Sequence, residues 1–259
     1  MKIKSILILL FCSLISVTAF SQENKIKDKR THPHLFYLEE SEVANSLELL
    51  PPPPEANSIL FLYDKAQYDW GIQQRNTPRG DLAVADARVD GNGVPMAFSE
   101  AFGIEITHEN TPEIQKLVLN MREDAGDLAT RYAKTHYMRV RPFVFFNQMT
   151  CNSEQQEELS INGSYPSGHT AIGWATALVL AEINVDRQNE ILKRGYEMGQ
   201  SRVICGYHFQ SDVDAARLVA SAVVARLHAN NVFVAQLKKA KEEFSRLQKL
   251  GKVKLSNRF

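Results

Sequence analysis

The run Gly163 to Thr170 leads without a spacer into the apolar segment Ala171 to Ile183, which places Ser167 and Gly168 at the start of a helix. Unpaired backbone N–H groups and the positive end of the helix dipole make such a start a seat for an anion. His169 adds a proton donor at its edge, although a capping serine beside a surface histidine would read the same way. Lys134 and Arg141 stand seven residues apart, a spacing that puts both on one face of a continuous helix before Pro142 stops it. A solvated basic helix end is the bland alternative for that pair, and Arg139 falls off the shared face. Ser201-Arg202 is followed by His208 and then by Asp212, four residues further on. An aspartate at that distance can take a hydrogen bond from the imidazole Nδ1–H, raise the histidine's pKa and leave Nε2 with a free lone pair. A purely structural His–Asp link between a loop and a helix has the same spacing. Together these groups supply what phosphoryl transfer needs: cations and donors for three equatorial oxygens, with one histidine to attack and another to protonate the departing oxygen.

Helices are expected to position all of them. Asn57 or Ser58 can cap a helix carrying Leu60, Phe61, Ala66, Tyr68 and Trp70, and Thr77-Pro78 restarts the chain into Asp81 to Arg88. Asp90-Gly91-Asn92-Gly93 is a turn, and Ser99 to Gly103 lies in a short helical or loop segment. Thr111-Pro112-Glu113 opens the strongest helix, with Ile114, Leu117, Val118, Met121, Ala125 and Leu128 as its apolar stripe. Thr170 to Ile183 is apolar almost all round and reads as the buried central helix. Asp186 can cap Gln188 to Ser201, Ser211 with Asp214 can open Asp212 to His228, and Asn230 or Asn231 introduces a last helix to about Leu250. No strand alternation, glycine-rich dinucleotide loop or internal repeat is present, so the fold class expected is all-α, a single helical domain over 58–259.

Residues 1–21 read as a secretory signal peptide: Lys2 and Lys4, the apolar run Ile6 to Ile15, and Ala19-Phe20-Ser21 at the cleavage site, with Gln22 as the new N-terminus. The location expected is therefore periplasmic or secreted. Residues 22–57 form an arm ending in the extended spacer Pro51 to Pro54. Loss of Lys2 and Lys4 from 30 basic and 30 acidic residues leaves a net charge of minus two. That excludes a general basic field for nucleic acid, and no run of membrane-spanning length remains. Cys12 leaves with the signal, and Cys151 and Cys205 can either bridge or stay as two buried thiols; a bridge would stabilise the chain by about 4 kcal/mol in the loop-entropy model. Neither has partners at zinc-ligand spacing.

Lys134, six residues, Arg141-Pro142; Pro166-Ser167-Gly168-His169; and Ser201-Arg202, five residues, His208, three residues, Asp212 resemble the three-part signature of the phosphatidic-acid-phosphatase and vanadium-haloperoxidase superfamily. The Gly163 to Thr170 octet, Ser201 to Asp214 and the proline run are similar to the bacterial class A non-specific acid phosphatases, over essentially the whole mature chain. The resemblance implies an all-α fold and hydrolysis of small phosphate monoesters such as nucleotides and sugar phosphates. It assigns His208 as the nucleophile that becomes phosphohistidine, Asp212 as its orienting partner and His169 as general acid. Lys134, Arg141, Ser167, the Gly168 N–H and Arg202 would hold the phosphoryl oxygens. No metal or other cofactor is implied, and a homo-oligomer is. His32, His34, His108, His136 and His228 match no signature position. A vanadium haloperoxidase, a lipid phosphatase and a phosphate-capturing module are the rival readings. Chain length and signal speak against the first, the lack of spanning helices against the second, and a histidine on each side of phosphorus against the third.

Overall fold

The computed structural model describes residues 36–255; the signal peptide and the first part of the arm lie outside them. Among the described residues there is no strand. Helix α2 (Ile59–Gln74) starts at Ser58, whose hydroxyl accepts from the Phe61 N–H at 3.2 Å. Its buried face carries Phe61, Asp64, Tyr68 and Gly71, so an ionisable residue lies in an otherwise non-ionic stripe. Pro78 at N1 opens α3 (Pro78–Ala85), and Gly93 opens α4 (Gly93–Phe102), which absorbs the segment Ser99 to Phe102.

The strongest predicted helix is broken. Helix α5 (Pro112–Glu123) buries Ile114, Leu117, Val118 and Met121 as its spacing requires, and then widens into a π-helical turn, Asp124–Leu128. Helix α6 (Arg131–Tyr137) follows and ends at Met138, which is left-handed with φ 40°. Arg141 is therefore outside the helix that holds Lys134, with the extended backbone (φ −72°, ψ 151°) usual before a proline. Pro142 begins α7 (Pro142–Phe145) instead of ending a helix.

Helix α9 (Gly168–Ile183) buries ten of its residues and is the axis against which α10 (Gln188–Ile204) and α11 (Gln210–Leu227) pack. Two predicted starts shift. A 3-10 turn, Val185–Arg187, takes up Asp186 before α10, and α11 begins at Gln210, where Asp212 in place of Asp214 receives the Phe209 N–H at 2.8 Å. Helix α12 (Asn231–Lys249) is capped by Asn230 and covers α5, and the Glu243 carboxylate accepts from the Glu113 and Ile114 N–H groups at 3.1 and 3.0 Å.

Within 36–57 the chain forms a 3-10 turn, Glu40–Glu42, and the short α1 (Ser46–Leu49). This stretch is fixed to the body. The Asp124 carboxylate accepts from the Tyr37 and Leu38 N–H groups at 2.9 Å each, and the Tyr165 hydroxyl donates to the Pro51 carbonyl at 2.7 Å. Cys151 and Cys205 are joined in a disulfide. Among the described residues no single helix is long and apolar enough to cross a membrane.

Candidate active site

Five segments converge at the N-terminal end of α9. Ser167 is its cap: the hydroxyl oxygen accepts from the Thr170 N–H at 3.3 Å and the Thr170 hydroxyl at 2.9 Å, leaving its own proton for another acceptor. The Ser167 N–H goes to the Asp212 carbonyl at 3.0 Å, which locks α9 to α11. A Cβ on Gly168 would stand 2.8 Å from the Gly126 carbonyl, so the π turn can approach only a glycine there.

The cations come from different elements. The Lys134 ammonium, under a partly exposed stem, donates to the carbonyls of Pro166 at 2.8 Å and Gly163 at 3.0 Å. Arg141 is 3% exposed and donates to the carbonyls of Asn162, Tyr207 and Gly163 at 3.0, 3.1 and 3.3 Å. Arg202, from α10, is 1% exposed; it stacks on the Tyr207 ring with Cζ 4.1 Å from the centroid, and none of its three guanidinium nitrogens has a protein partner.

Gly206, at φ 76°, turns the chain out of α10 so that His208 faces these cations. Arg141 Nη1 is a donor only, so the 3.0 Å contact makes His208 Nε2 the acceptor and puts the neutral ring's proton on Nδ1. That nitrogen lies 3.4 Å from Asp212 Oδ2, beyond good hydrogen-bond geometry, and no group meets full hydrogen-bond geometry at it. The expected His208–Asp212 hydrogen bond is thus replaced by a looser contact between a neutral imidazole and a carboxylate, because Asp212 is engaged elsewhere. Its Oδ2 takes the Phe209 N–H, and its Oδ1 takes Arg139 Nη1 at 2.5 Å. The expected rise in the His208 pKa is reversed as well. Burial, then Arg141, Lys134 and Arg202, hold it well below the ordinary 6.5, against a smaller upward pull from the Ser164 backbone.

His169 sits half-buried on the floor of a cleft that also reaches Val89, Asp90, Asp127 and Lys134. Its Nε2 is 3.2 Å from the Ala87 carbonyl, so Nε2 carries the proton and Nδ1 is the ring position left to gain or lose one. Burial, then Arg202 and His208, push its pKa well down. The same forces lower the cations: burial and Arg141 bring Lys134 to about 7, burial brings Arg141 to about 10, and burial brings Arg202 to about 9.

All eight residues singled out in the sequence are therefore brought together at the N-terminal end of α9, with Lys134, Gly168 and His169 lining the cleft. Three groups were missed. Asp64 could have been noticed as an acid at helical spacing between buried Phe61 and Tyr68. Arg139 was set aside because of the unbroken-helix assumption. The Ala87 carbonyl leaves no signal in side-chain types. Among the described residues no group of three or more His, Cys, Asp or Glu side chains is gathered as a metal site would need.

A family model described as the PAP2 superfamily covers residues 125–234. The chain is 59% identical over 245 residues to a protein of Providencia stuartii named non-specific acid phosphatase, covering 94% of this chain and 99% of that one. It is 45% identical over 204 residues to a non-specific acid phosphatase of Salmonella typhimurium, covering 79% and 82%. It is 33% identical over 233 residues to an acid phosphatase of Zymomonas mobilis, covering 90% and 86%. Likeness of this extent, running through every element that brings a cation or a histidine to the pocket, makes the chain a member of the non-specific acid phosphatases of the PAP2 superfamily.

Proposed function

We propose that this acid phosphatase hydrolyses a broad range of small phosphate monoesters, nucleotides and sugar phosphates among them, through a phosphohistidine on His208 and without a metal ion. The observation that carries the reading is Arg202. A guanidinium buried with three unpartnered nitrogens, beside Arg141 and two histidines, is costly unless an anion with several acceptor oxygens shares the site. A phosphoryl group supplies those oxygens.

In the proposed reaction the His208 Nε2 lone pair forms a bond to phosphorus as the ester P–O bond opposite it breaks. Arg141 Nη1, which donates to Nε2 in the free protein, turns to a phosphoryl oxygen. The departing oxygen takes a proton from His169. Water then attacks the phosphohistidine, gives its proton back to His169, and the N–P bond breaks to release phosphate. Lys134, Arg141, Arg202, the Ser167 hydroxyl and the Gly168 N–H hold the equatorial oxygens. All of them grip the group that every monoester shares, while the leaving alcohol faces an open cleft, which supports breadth. Export to the periplasm or medium, after removal of residues 1–21, belongs to the same reading and suits the Cys151–Cys205 disulfide; the exported protein should begin at Gln22 by mass.

Rapid mixing with a phosphorus-labelled monoester, quenched in base, should yield a base-stable, acid-labile label on the peptide carrying His208. The label should be absent in His208→Ala, and turnover should survive dialysis against EDTA while orthovanadate blocks it. An unlabelled wild type, or EDTA inactivation reversed by added zinc or magnesium, would overturn the reading.

A further inference from the structure

We propose that Asp64, on α2, is a positioning residue for the nucleophile: through Arg139 it fixes the Asp212 carboxylate at His208 and keeps the net charge behind the imidazole negative. The inference rests on the phosphohistidine reading above. Arg139 lies between two fully buried carboxylates, donating from Nη1 to Asp212 Oδ1 at 2.5 Å and from Nη2 to Asp64 Oδ2 at 2.8 Å. Its plane is set by the Phe209 ring, 4.2 Å from Cζ, and by Ser211, whose hydroxyl oxygen accepts from Nη1 at 2.8 Å. Asp64 completes the frame from a distant part of the chain. Its Oδ1 accepts the Ser211 N–H at 2.8 Å and its Oδ2 the Ser211 hydroxyl at 2.6 Å, so it acts as an acid at the start of α11, the turn that holds Asp212.

The geometry assigns more than tethering because of the charge count. The imidazole of His208 is faced by Lys134 from α6, Arg141 ahead of α7, His169 from α9, Arg202 from α10 and Asp212 from α11. Among the described residues Asp212 is the one carboxylate in that ring, and Arg139 is bound directly to it. Left alone, Arg139 would cancel the negative charge that favours the imidazolium-like phosphohistidine. With Asp64 on its other edge, Arg139 is balanced and the group of three keeps one negative charge. A bidentate fork between two carboxylates also fixes where Asp212 points, which a lysine could not do.

Asp64→Asn keeps the shape and removes one charge. Phosphorylation of His208 should slow about 10- to 100-fold, the range typical when a partner that orients a functional ligand is lost. The loss should be equal for nitrophenyl and alkyl phosphates, since bond-making to phosphorus is affected and protonation of the leaving oxygen is not. Inhibition by inorganic phosphate should be no weaker. The acid limb of kcat/KM, which reports His208 losing its proton, should move to lower pH because the surroundings become more positive. A tether alone would leave that limb in place. A wild-type rate, or a slowed rate with an unmoved limb, overturns the assignment. If Asp64→Asn does not fold, Arg139→Lys keeps the charge and lacks the fork; it should show the same slowing, and a wild-type rate refutes the proposal. A wild type that forms no phosphohistidine at all removes the parent reading as well, whereas a labelled wild type with Asp64→Asn labelled equally fast removes only the role of Asp64.

Discussion

Replacing Arg202 with methionine should raise the stability of the phosphate-free enzyme while nearly abolishing its activity. At pH 7 the guanidinium is charged, because its pKa is about 9, and the whole penalty behind the drop from 12.5 is present; it would fade only above about 9. Converted unit by unit, that drop is on the order of 5 kcal/mol for a side chain 1% exposed. Loss of the stack on Tyr207 offsets part of it. Apolar replacement of buried ionic groups stabilises by about 1–4 kcal/mol where it stabilises at all. With about 2–4 °C per kcal/mol for a chain of this size, a gain of about 2 kcal/mol raises Tm by roughly 4–8 °C. In the complex the sign reverses. Two or three charge-assisted hydrogen bonds to phosphoryl oxygens, each worth about 1.5–3 kcal/mol, are lost, so turnover should fall about 10²- to 10⁶-fold. Thermal unfolding with and without inorganic phosphate measures both halves. Wild type at about 100 times its Kd should gain about 2.7 kcal/mol from the ligand, and Arg202→Met almost none. A variant that is less stable without phosphate, yet still stabilised by it, would show that Arg202 is a packing residue and refute the anion cage.

His169→Ala should lose about 10²- to 10⁴-fold on alkyl phosphates and much less on nitrophenyl phosphate, whose leaving group needs little protonation; equal losses would remove the general-acid assignment. Lys134→Arg should move the alkaline limb of phosphate inhibition upward, because the lysine's pKa of about 7 falls in the assay range and a guanidinium stays charged through it; an unmoved limb would show that Lys134 does not hold the anion. Cys151→Ser with Cys205→Ser should lower unfolding stability by about 2–4 kcal/mol in denaturant, and an unchanged midpoint would show that the bridge constrains nothing.

What the sequence made readable were the features carried by local rules. Ser58, Pro112 and Asn230 mark helix starts by their own chemistry, and the apolar stripe from Ile114 to Met121 names its buried face. Ser167, Gly168 and His169 were found because the turn residues and the helix are adjacent in the chain. Phase was what failed. Counting seven residues from Lys134 to Arg141 assumes a uniform helix, whereas the π turn at Asp124–Leu128 and the left-handed Met138 break the chain into separate pieces. Lys134 and Arg141 still meet at one pocket, but by tertiary folding, and the same break brings Arg139 in. Asp212 was assigned its neighbour correctly and its bond incorrectly, since the competitor for its oxygens, Arg139, is supplied from 73 residues away. The histidine pKa directions were beyond sequence reasoning for the same reason: they depend on three cations and a degree of burial that only the assembled pocket has.

The charges of the assembled pocket explain why this chemistry belongs on the acid side. Arg139 is balanced by Asp64, Asp127 by Arg131 and Asp86 by Arg194, so Lys134, Arg141 and Arg202 with Asp212 leave an excess of two positive charges when all three cations are protonated. A phosphate monoester dianion carries the opposite two. In the free protein burial, and then that excess, depress His208, which on the proposed mechanism is thereby unprotonated and ready to attack, but they also depress His169 and Lys134, which on that mechanism must be protonated to act. Anion binding removes the excess and raises both, so each productive encounter draws in protons. Such uptake becomes unfavourable as pH rises through about 7, where Lys134 is already losing its charge in the free protein. A monoester whose second pKa is about 6 can bring one of those protons with it. On the proposed mechanism the nucleophile therefore sets a limit only at low pH, and the donors set the limit near neutrality. Activity on an alkyl phosphate that climbed steadily to about pH 9 would contradict this division between His208 and its neighbours.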